Sequence, residues 1–485
     1  MVKFIRQNPV LALTHDAYPY QKEAFESIKD MEFAGIFHEQ GLGKTKIAID
    51  LLCYWLEQDR VDSVLVITKK TLVQNWVREI KLHTQIETDV FTSNKRKNHE
   101  VFTSTSYLYI AHYQILNTDK EAFKKFLKAR RVAVILDESA AIKNRDSQLA
   151  RTYHELANLM DIRIIMSGTP FANKPQDIWS QIYFLDFGEN LGKNYPSFEE
   201  QYYFPREDYL KHVFAKSLVR LNESLQNFTI RETKESAGIN LPNKEYVTLI
   251  GDFTPEQLEI YDEAKKTMSL ELEQDGEIKF EDLEWILHRM IRLVQITSHP
   301  ALVQDHYDEV PGKMSLLKAK VSEILENDIE SKIIIWTSFI KNTELIRKTL
   351  MPHHSAIVHG QQSDEKNQES IDRFLEDDQT RLFVATPQKA GEGLTLTVAN
   401  HAFFYDRSFS LQHYLQAQDR IHRISQDRIC YIYNLMIRGS IDEYIDKLVK
   451  AKHVTSQLAI GDISEEEFLN RGHFDLRKTL DQILN

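Results

Sequence analysis

Along the first 185 residues, short runs of apolar, largely β-branched residues alternate with stretches whose apolar positions recur at helical spacing. The runs are FAGIF (33–37), SVLVIT (63–68), SYLYIAH (106–112), VAVIL (132–136) and RIIMS (163–167). This alternation predicts a parallel sheet covered by helices. From Trp179 to about Arg231 it stops, and a segment rich in aromatic and charged residues reads as a helical insertion. A second helical stretch, about Thr254 to Pro300, follows the turn-like LPNK (241–244), and its TPEQ opening puts Pro255 in the first turn. Alternation resumes with KIIIWTS (332–338), HSAIVHG (354–360), RLFVAT (381–386) and HAFFYD (401–406). The expectation is an α/β protein of two parallel-sheet lobes with helical insertions.

Length and composition narrow this. A chain of 485 residues exceeds one ordinary core. The two cysteines, Cys53 and Cys430, sit far apart in apolar segments, which excludes a disulfide framework or a cysteine zinc site and points to a reducing, cytoplasmic setting. The N-terminal apolar run is too short for a signal-peptide core, and nothing approaches the ~20 apolar residues of a membrane span. A net charge of −12 carries little weight against a nucleic-acid partner, because binding depends on local charge in a cleft. A monomer is the expected state.

Three segments carry chemistry. After FAGIF and before the helical KIAIDLLCYWLEQ stands His38-Glu39-Gln40-Gly41-Leu42-Gly43-Lys44-Thr45. Glycines there let backbone N–H groups converge on phosphates, and the next helix presents its positive end to them. Lys44 is expected at the β and γ phosphates of ATP and Thr45 on Mg2+; Gly41, Leu42 and Gly43 form the cradle. His38 stands where the common pattern has glycine, so the match is to the shorter GxGKT form.

VAVIL ends in Asp137-Glu138, an acidic pair in the crevice where α/β sheets bind ligands. Asp137 is expected to hold Mg2+ through water, and Glu138 to position the attacking water. In QAQDRIHR (416–423), Arg420 and Arg423 lie three apart on an expected helix, hence on one face, where guanidinium groups can stabilise a transferring phosphoryl group. They belong to the second lobe, so hydrolysis is expected to need lobe closure. His112, His353-His354 and His422 have no ligand spacing such as HExxH.

Read in order, these segments resemble the Swi/Snf-like ATPases of helicase superfamily two. YPYQ (18–21), GLGKT, LVQNWVREI (72–80), DESAAIKN, SGTP (167–170), IRETKESAGINLPNK (230–244), RLVQITSHP (292–300), IIIWTSF (333–339), AGEGLTLT (390–397) and QAQDRIHRISQ (416–426) are similar to that family's motifs. The resemblance implies two RecA-like lobes: 1–185 binding ATP, 186–231 a first insertion, 232–305 a linker and second insertion, 306–450 the second lobe and 451–485 a C-terminal helical segment. It implies adenine reading by Gln21, nucleotide contacts by Gly391 and Gly393, and a place for Gln416 in the catalytic set. It also implies backbone-phosphate contacts at Lys69, Lys70, Ser338 and Thr386, with ATP-driven movement on double-stranded DNA, usually without strand separation. The DES and QAQDR forms resemble the strand-annealing branch. Ala140 departs from the histidine frequent after the acidic pair, which bears on coupling to the nucleic-acid path. Two alternatives stay open: a strand-separating DNA or RNA helicase, and a nucleotide-switched binding module with weak turnover.

Overall fold

Each apolar run above falls on a strand in the computed structural model, which describes residues 14–171, 174–204, 210–274, 283–351, 353–391 and 393–471. The opening apolar run and positions 472–485 of the C-terminal segment lie outside the described residues. The chain forms two units, one from residues up to Asn240 together with the segment from Val454, the other from Leu241–His453.

The first unit holds β1 (Phe33–Ile36), β2 (Ser63–Thr68), β3 (Thr88–Val90), β4 (Leu108–His112), β5 (Val132–Asp137), β6 (Ile162–Met166) and β7 (Thr229–Ile230). They form one parallel sheet in the order β3-β4-β2-β5-β6-β1-β7. Successive side chains of a strand point to opposite faces, and both faces here are covered. Along β2, Leu65 and Ile67 enter one core while Val64 and Val66 enter the other. That is why apolar residues stand consecutively along β2 instead of alternating with polar ones.

The first insertion is helical, with helices Asp177–Asp186, Tyr195–Gln201 and Lys211–Leu225, and the chain then returns to the sheet as β7 beside β1. The segment from Val454 completes this unit. Leu458, Ala459, Ile460 and Phe468 pack with Leu218 and Leu221 of the insertion. Lys211 Nζ donates to Leu469 O (2.7 Å), and a Ser464–Glu467 capping box starts the helix Glu465–Asn470.

The second unit holds β8 (Lys244–Gly251), β9 (Ile333–Trp336), β10 (His354–Val358), β11 (Thr380–Ala385), β12 (His401–Phe404) and β13 (Cys430–Ile437), parallel in the order β10-β11-β9-β12-β13-β8. Lys244, expected to end a turn, instead begins β8. The second insertion supplies helices Pro255–Gln274 and Leu283–Ser298, the first starting at Pro255 as TPEQ predicts. Tyr261, Met290, Leu293 and Ile296 pack on Ile441, Tyr444 and Leu448. The buried Asp442 carboxylate accepts from Lys313 Nζ (2.7 Å), Thr297 Oγ1 (3.3 Å) and Ile437 N (2.9 Å), so the charge placed inside is fully bonded and ties insertion to sheet. Among the described residues, no helix is long and apolar enough to cross a membrane.

Candidate functional site

The carboxyl ends of β1, β2, β5 and β6 gather the first unit's chemical residues along one edge, the usual ligand-binding edge of a parallel sheet. The loop after β1 turns through Gly41 (φ +87°) and Gly43 (φ +68°), left-handed conformations that cost glycine nothing. A Cβ at Gly43 would also stand 2.3 Å from Gln21 Nε2. The helix Lys44–Glu57 begins immediately after it, anchored by buried Ile47, Leu51, Leu52 and Trp55. Lys44 Nζ donates to the loop carbonyls of His38 (3.0 Å) and Glu39 (3.3 Å), so the ammonium is folded over its own loop.

Gln21 is buried against the same loop. Its Nε2 donates to Leu42 O (3.1 Å), Tyr20 OH donates to the same carbonyl (3.2 Å), and Tyr18 N donates to Gln21 Oε1 (2.9 Å). The partly exposed ring of Tyr18 stacks on Tyr20 at 5.9 Å.

At the end of β5, Asp137 Oδ2 accepts from Thr68 Oγ1 (2.9 Å) and Trp76 Nε1 (2.8 Å). Burial, with the neighbouring Glu138 charge, raises the Asp137 carboxyl above its ordinary range, while the Trp76 and Thr68 donors and the Lys44 ammonium pull the other way. Both donors fall on Oδ2, and an oriented carboxylate beside a hydroxyl-bearing phosphate loop is the donor set Mg2+ takes with a nucleotide. Glu138 adopts a left-handed conformation (φ +57°), strained for a side chain with a Cβ and of the kind stored at working sites. After β6, a Cβ added to Gly168 of SGTP would lie 3.3 Å from Lys44 Nζ and 2.5 Å from Gln40 Cγ. The loop, acidic pair and SGTP turn therefore converge. Of the candidate phosphate contacts after β2, Lys69 is half-buried and Lys70 exposed; Ala140 is buried.

In the second unit, Ser338 follows β9 half-buried, its N–H donating to Asp406 Oδ1 (2.6 Å). Asp406 Oδ2 also accepts from Thr337 Oγ1 (2.6 Å) and Ser298 Oγ (2.8 Å). Thr386 is buried at 4% exposure at the start of the short helix Pro387–Ala390, a poor position for reaching a backbone phosphate in this conformation. Gly391 closes that helix, and Gly393 follows at φ +76°. Gln416 is buried.

The arginines correct an expectation. The helix is Leu411–Gln418, and Arg420 and Arg423 follow it in turns rather than sharing a helical face. Arg420 Nε donates to Gln416 O (2.9 Å) and Arg423 Nε to Asp419 O (3.0 Å), so each guanidinium takes an i−4 carbonyl that a continuing helix would use. Arg420 Nη1 reaches Leu394 O (2.9 Å) and Arg423 Nη1 reaches Thr395 Oγ1 (2.7 Å), tying both to the AGEGLTLT loop.

Several site residues escaped the sequence reading. Lys234 places its backbone N on Glu39 Oε2 (2.9 Å) and its Nζ on Glu39 Oε1 (3.3 Å), so the chain after β7 folds onto the phosphate loop. Arg231 Nη1 donates to Phe37 O (2.5 Å), and its Nε and Nη2 grip Asp462 at 2.9 and 2.6 Å. Both lie in the quoted IRETKESAGINLPNK; only the three-dimensional return of β7 to β1 reveals their target. Trp76 was within LVQNWVREI, and its single polar atom inside an amphipathic helix was the available signal.

A model of the SNF2-related domain matches residues 20–302, and one of the helicase conserved C-terminal domain matches residues 316–425. The putative ATP-dependent helicase/translocase YwqA of Bacillus subtilis (strain 168) is 26% identical over 466 residues, covering 91% of this chain and 48% of that protein. The ISWI chromatin-remodeling complex ATPase CHR11 of Arabidopsis thaliana is 25% identical over 458 residues, covering 89% of this chain and 42% of that protein. The chain thus spans about half the length of the curated relatives it matches. A solved structure described as the Sulfolobus solfataricus SWI2/SNF2 ATPase core in complex with dsDNA aligns with a TM-score of 0.44 at 25% identity, covering 96% of this chain and 98% of that one.

Proposed function

The chain belongs to the SNF2-related family, and from that premise we propose that it hydrolyses ATP with Mg2+ and uses the energy to move along double-stranded DNA, which in turn raises its turnover. The observation that carries this reading is the meeting of Lys44, the Asp137-Glu138 pair and the SGTP turn at the carboxyl edge of one sheet.

Lys44 would exchange its two loop carbonyls for β- and γ-phosphate oxygens, giving a charge-assisted contact in place of neutral ones. Thr45 and Asp137 would hold Mg2+, which neutralises charge on the phosphate oxygens. Glu138, held in a strained conformation, would orient the attacking water. Gln21 would sense the base while remaining attached to the loop through Leu42 O. Gly41, Leu42 and Gly43 would supply the backbone cradle. From the second unit, Gln416, Arg420 and Arg423 would act on the charge developing on the γ-phosphate, with Gly391 and Gly393 shaping the loop to which the arginines are bonded. Lys69, Lys70 and Ser338 would meet backbone phosphates, contacts that position the duplex without reading sequence. Thr386 keeps this role only if its turn opens.

ATP turnover with no nucleic acid, single-stranded DNA, duplex DNA and duplex RNA, measured side by side, tests the proposal. Greatest stimulation by duplex DNA supports it; equal turnover in all four, or stimulation by RNA alone, contradicts it.

A further inference from the structure

Burying a polar group without a partner costs about 1–3 kcal/mol, so a native chain that does so at one place invites the question of what satisfies it. Two such side chains gather where the phosphate loop meets the SGTP turn: Gln40 (Oε1 and Nε2) and Thr169 (Oγ1), each at least nine-tenths buried. Gln40 lies against the SGTP turn. A Cβ added to Gly168 would fall 2.5 Å from Gln40 Cγ and 3.4 Å from its Cδ, and 3.3 Å from Lys44 Nζ. The carboxamide and the loop ammonium thus flank one point, and glycine at 168 is what leaves room for them.

We propose that Gln40 is a further nucleotide-binding residue, whose carboxamide Nε2 donates to the γ-phosphate beside Lys44 and so distinguishes a nucleoside triphosphate from a diphosphate. The proposal rests on the ATP site argued above and deepens it. An amide is suited to the task because it adds a directed donor without adding charge, and Thr169, next to Gly168 in the same turn, carries a buried hydroxyl that is also without a partner. Its cost to the ligand-free protein is the price of a partner that only the substrate provides.

Gln40→Met keeps length and volume while removing the unsatisfied amide. The expected result is a ligand-free melting temperature raised by about 2–4 °C, kcat/KM for ATP lowered about 10-fold, and stabilisation by a non-hydrolysable ATP analogue reduced while stabilisation by ADP is unchanged. A merely structural glutamine would lower the ligand-free melting temperature and leave the preference for triphosphate intact, which overturns the proposal. Gln40→Glu gives an independent reading: a carboxylate beside the γ-phosphate should weaken the ATP analogue at least 10-fold relative to ADP, and an unchanged ratio overturns the proposal too. If the wild-type protein neither hydrolyses ATP nor melts higher with nucleotide, the nucleotide site itself fails. If it does both and Gln40→Met matches it, only the role of Gln40 fails.

Discussion

Trp76 donates its indole N–H to the Asp137 carboxylate at 2.8 Å. Trp76 lies on the helix Val73–His83, which follows Lys69 and Lys70, so the segment proposed to meet the duplex is bonded to the residue proposed to hold Mg2+. With alanine at position 140, this indole supplies a direct link between the two. Trp76→Phe keeps the packing and removes the donor. DNA-stimulated turnover should fall about 10-fold, the loss of about 1.5 kcal/mol that a hydrogen bond to a charged group represents, with a smaller fall in basal turnover. Steady-state ATPase assays with and without duplex DNA check this.

Lys44→Ala and Glu138→Gln should each reduce ATP hydrolysis to background while leaving the free energy of unfolding within about 1 kcal/mol of wild type, since neither side chain anchors a core. Lys44→Ala should also lose nucleotide binding. Glu138→Gln should retain it, a difference that equilibrium binding of a labelled ATP analogue measures.

Acid should destabilise the first unit through His38, whose pKa is lowered to about 4, chiefly by burial and then by the Lys44 charge. Between pH 6.5 and 4 the unfolded chain binds this proton and the folded one does not. The stability is therefore complete above pH 6.5 and is lost as pH falls through 4, by on the order of 3 kcal/mol in full. Denaturant titrations across that range should show a shallower pH slope for His38→Leu than for wild type.

Arg231 holds Asp462 with two bonds and Phe37 O with a third, joining the segment after Val454 to the strand that leads into the phosphate loop. Arg231→Met leaves a largely buried carboxylate unpaired and should cost about 3 kcal/mol. Arg231→Lys should recover little of it, because one ammonium cannot reproduce the planar fork. Chemical denaturation of both variants decides this.

The strands that pattern exposed are mostly apolar runs buried along nearly their whole length, with an occasional polar residue such as Arg163 in β6 or Arg381 in β11. β3 carries Asp89 at its centre and β7 has two residues, so neither has a run to detect; β8 (KEYVTLIG) is a partly exposed edge strand that opens on two charged residues. β13 (CYIYNLMI) is an inner strand with such a run that escaped the sequence reading. GLGKT, DE and SGTP were legible because backbone geometry and charge dictate their residue types. The Arg231–Asp462 clamp joins positions far apart in sequence, and no local pattern encodes it. The turn at Arg420 and Arg423 was hidden because their side chains replace backbone donors, an effect that helical spacing ignores.

The central claim is that a triphosphate gripped by Lys44 is hydrolysed with the help of an arginine from the second unit. The most direct test is kcat for ATP in saturating duplex DNA for Arg423→Ala, alongside its affinity for a non-hydrolysable ATP analogue. The account predicts kcat lower by about 10³-fold with affinity within about 2-fold of wild type; wild-type kcat in that variant would contradict it.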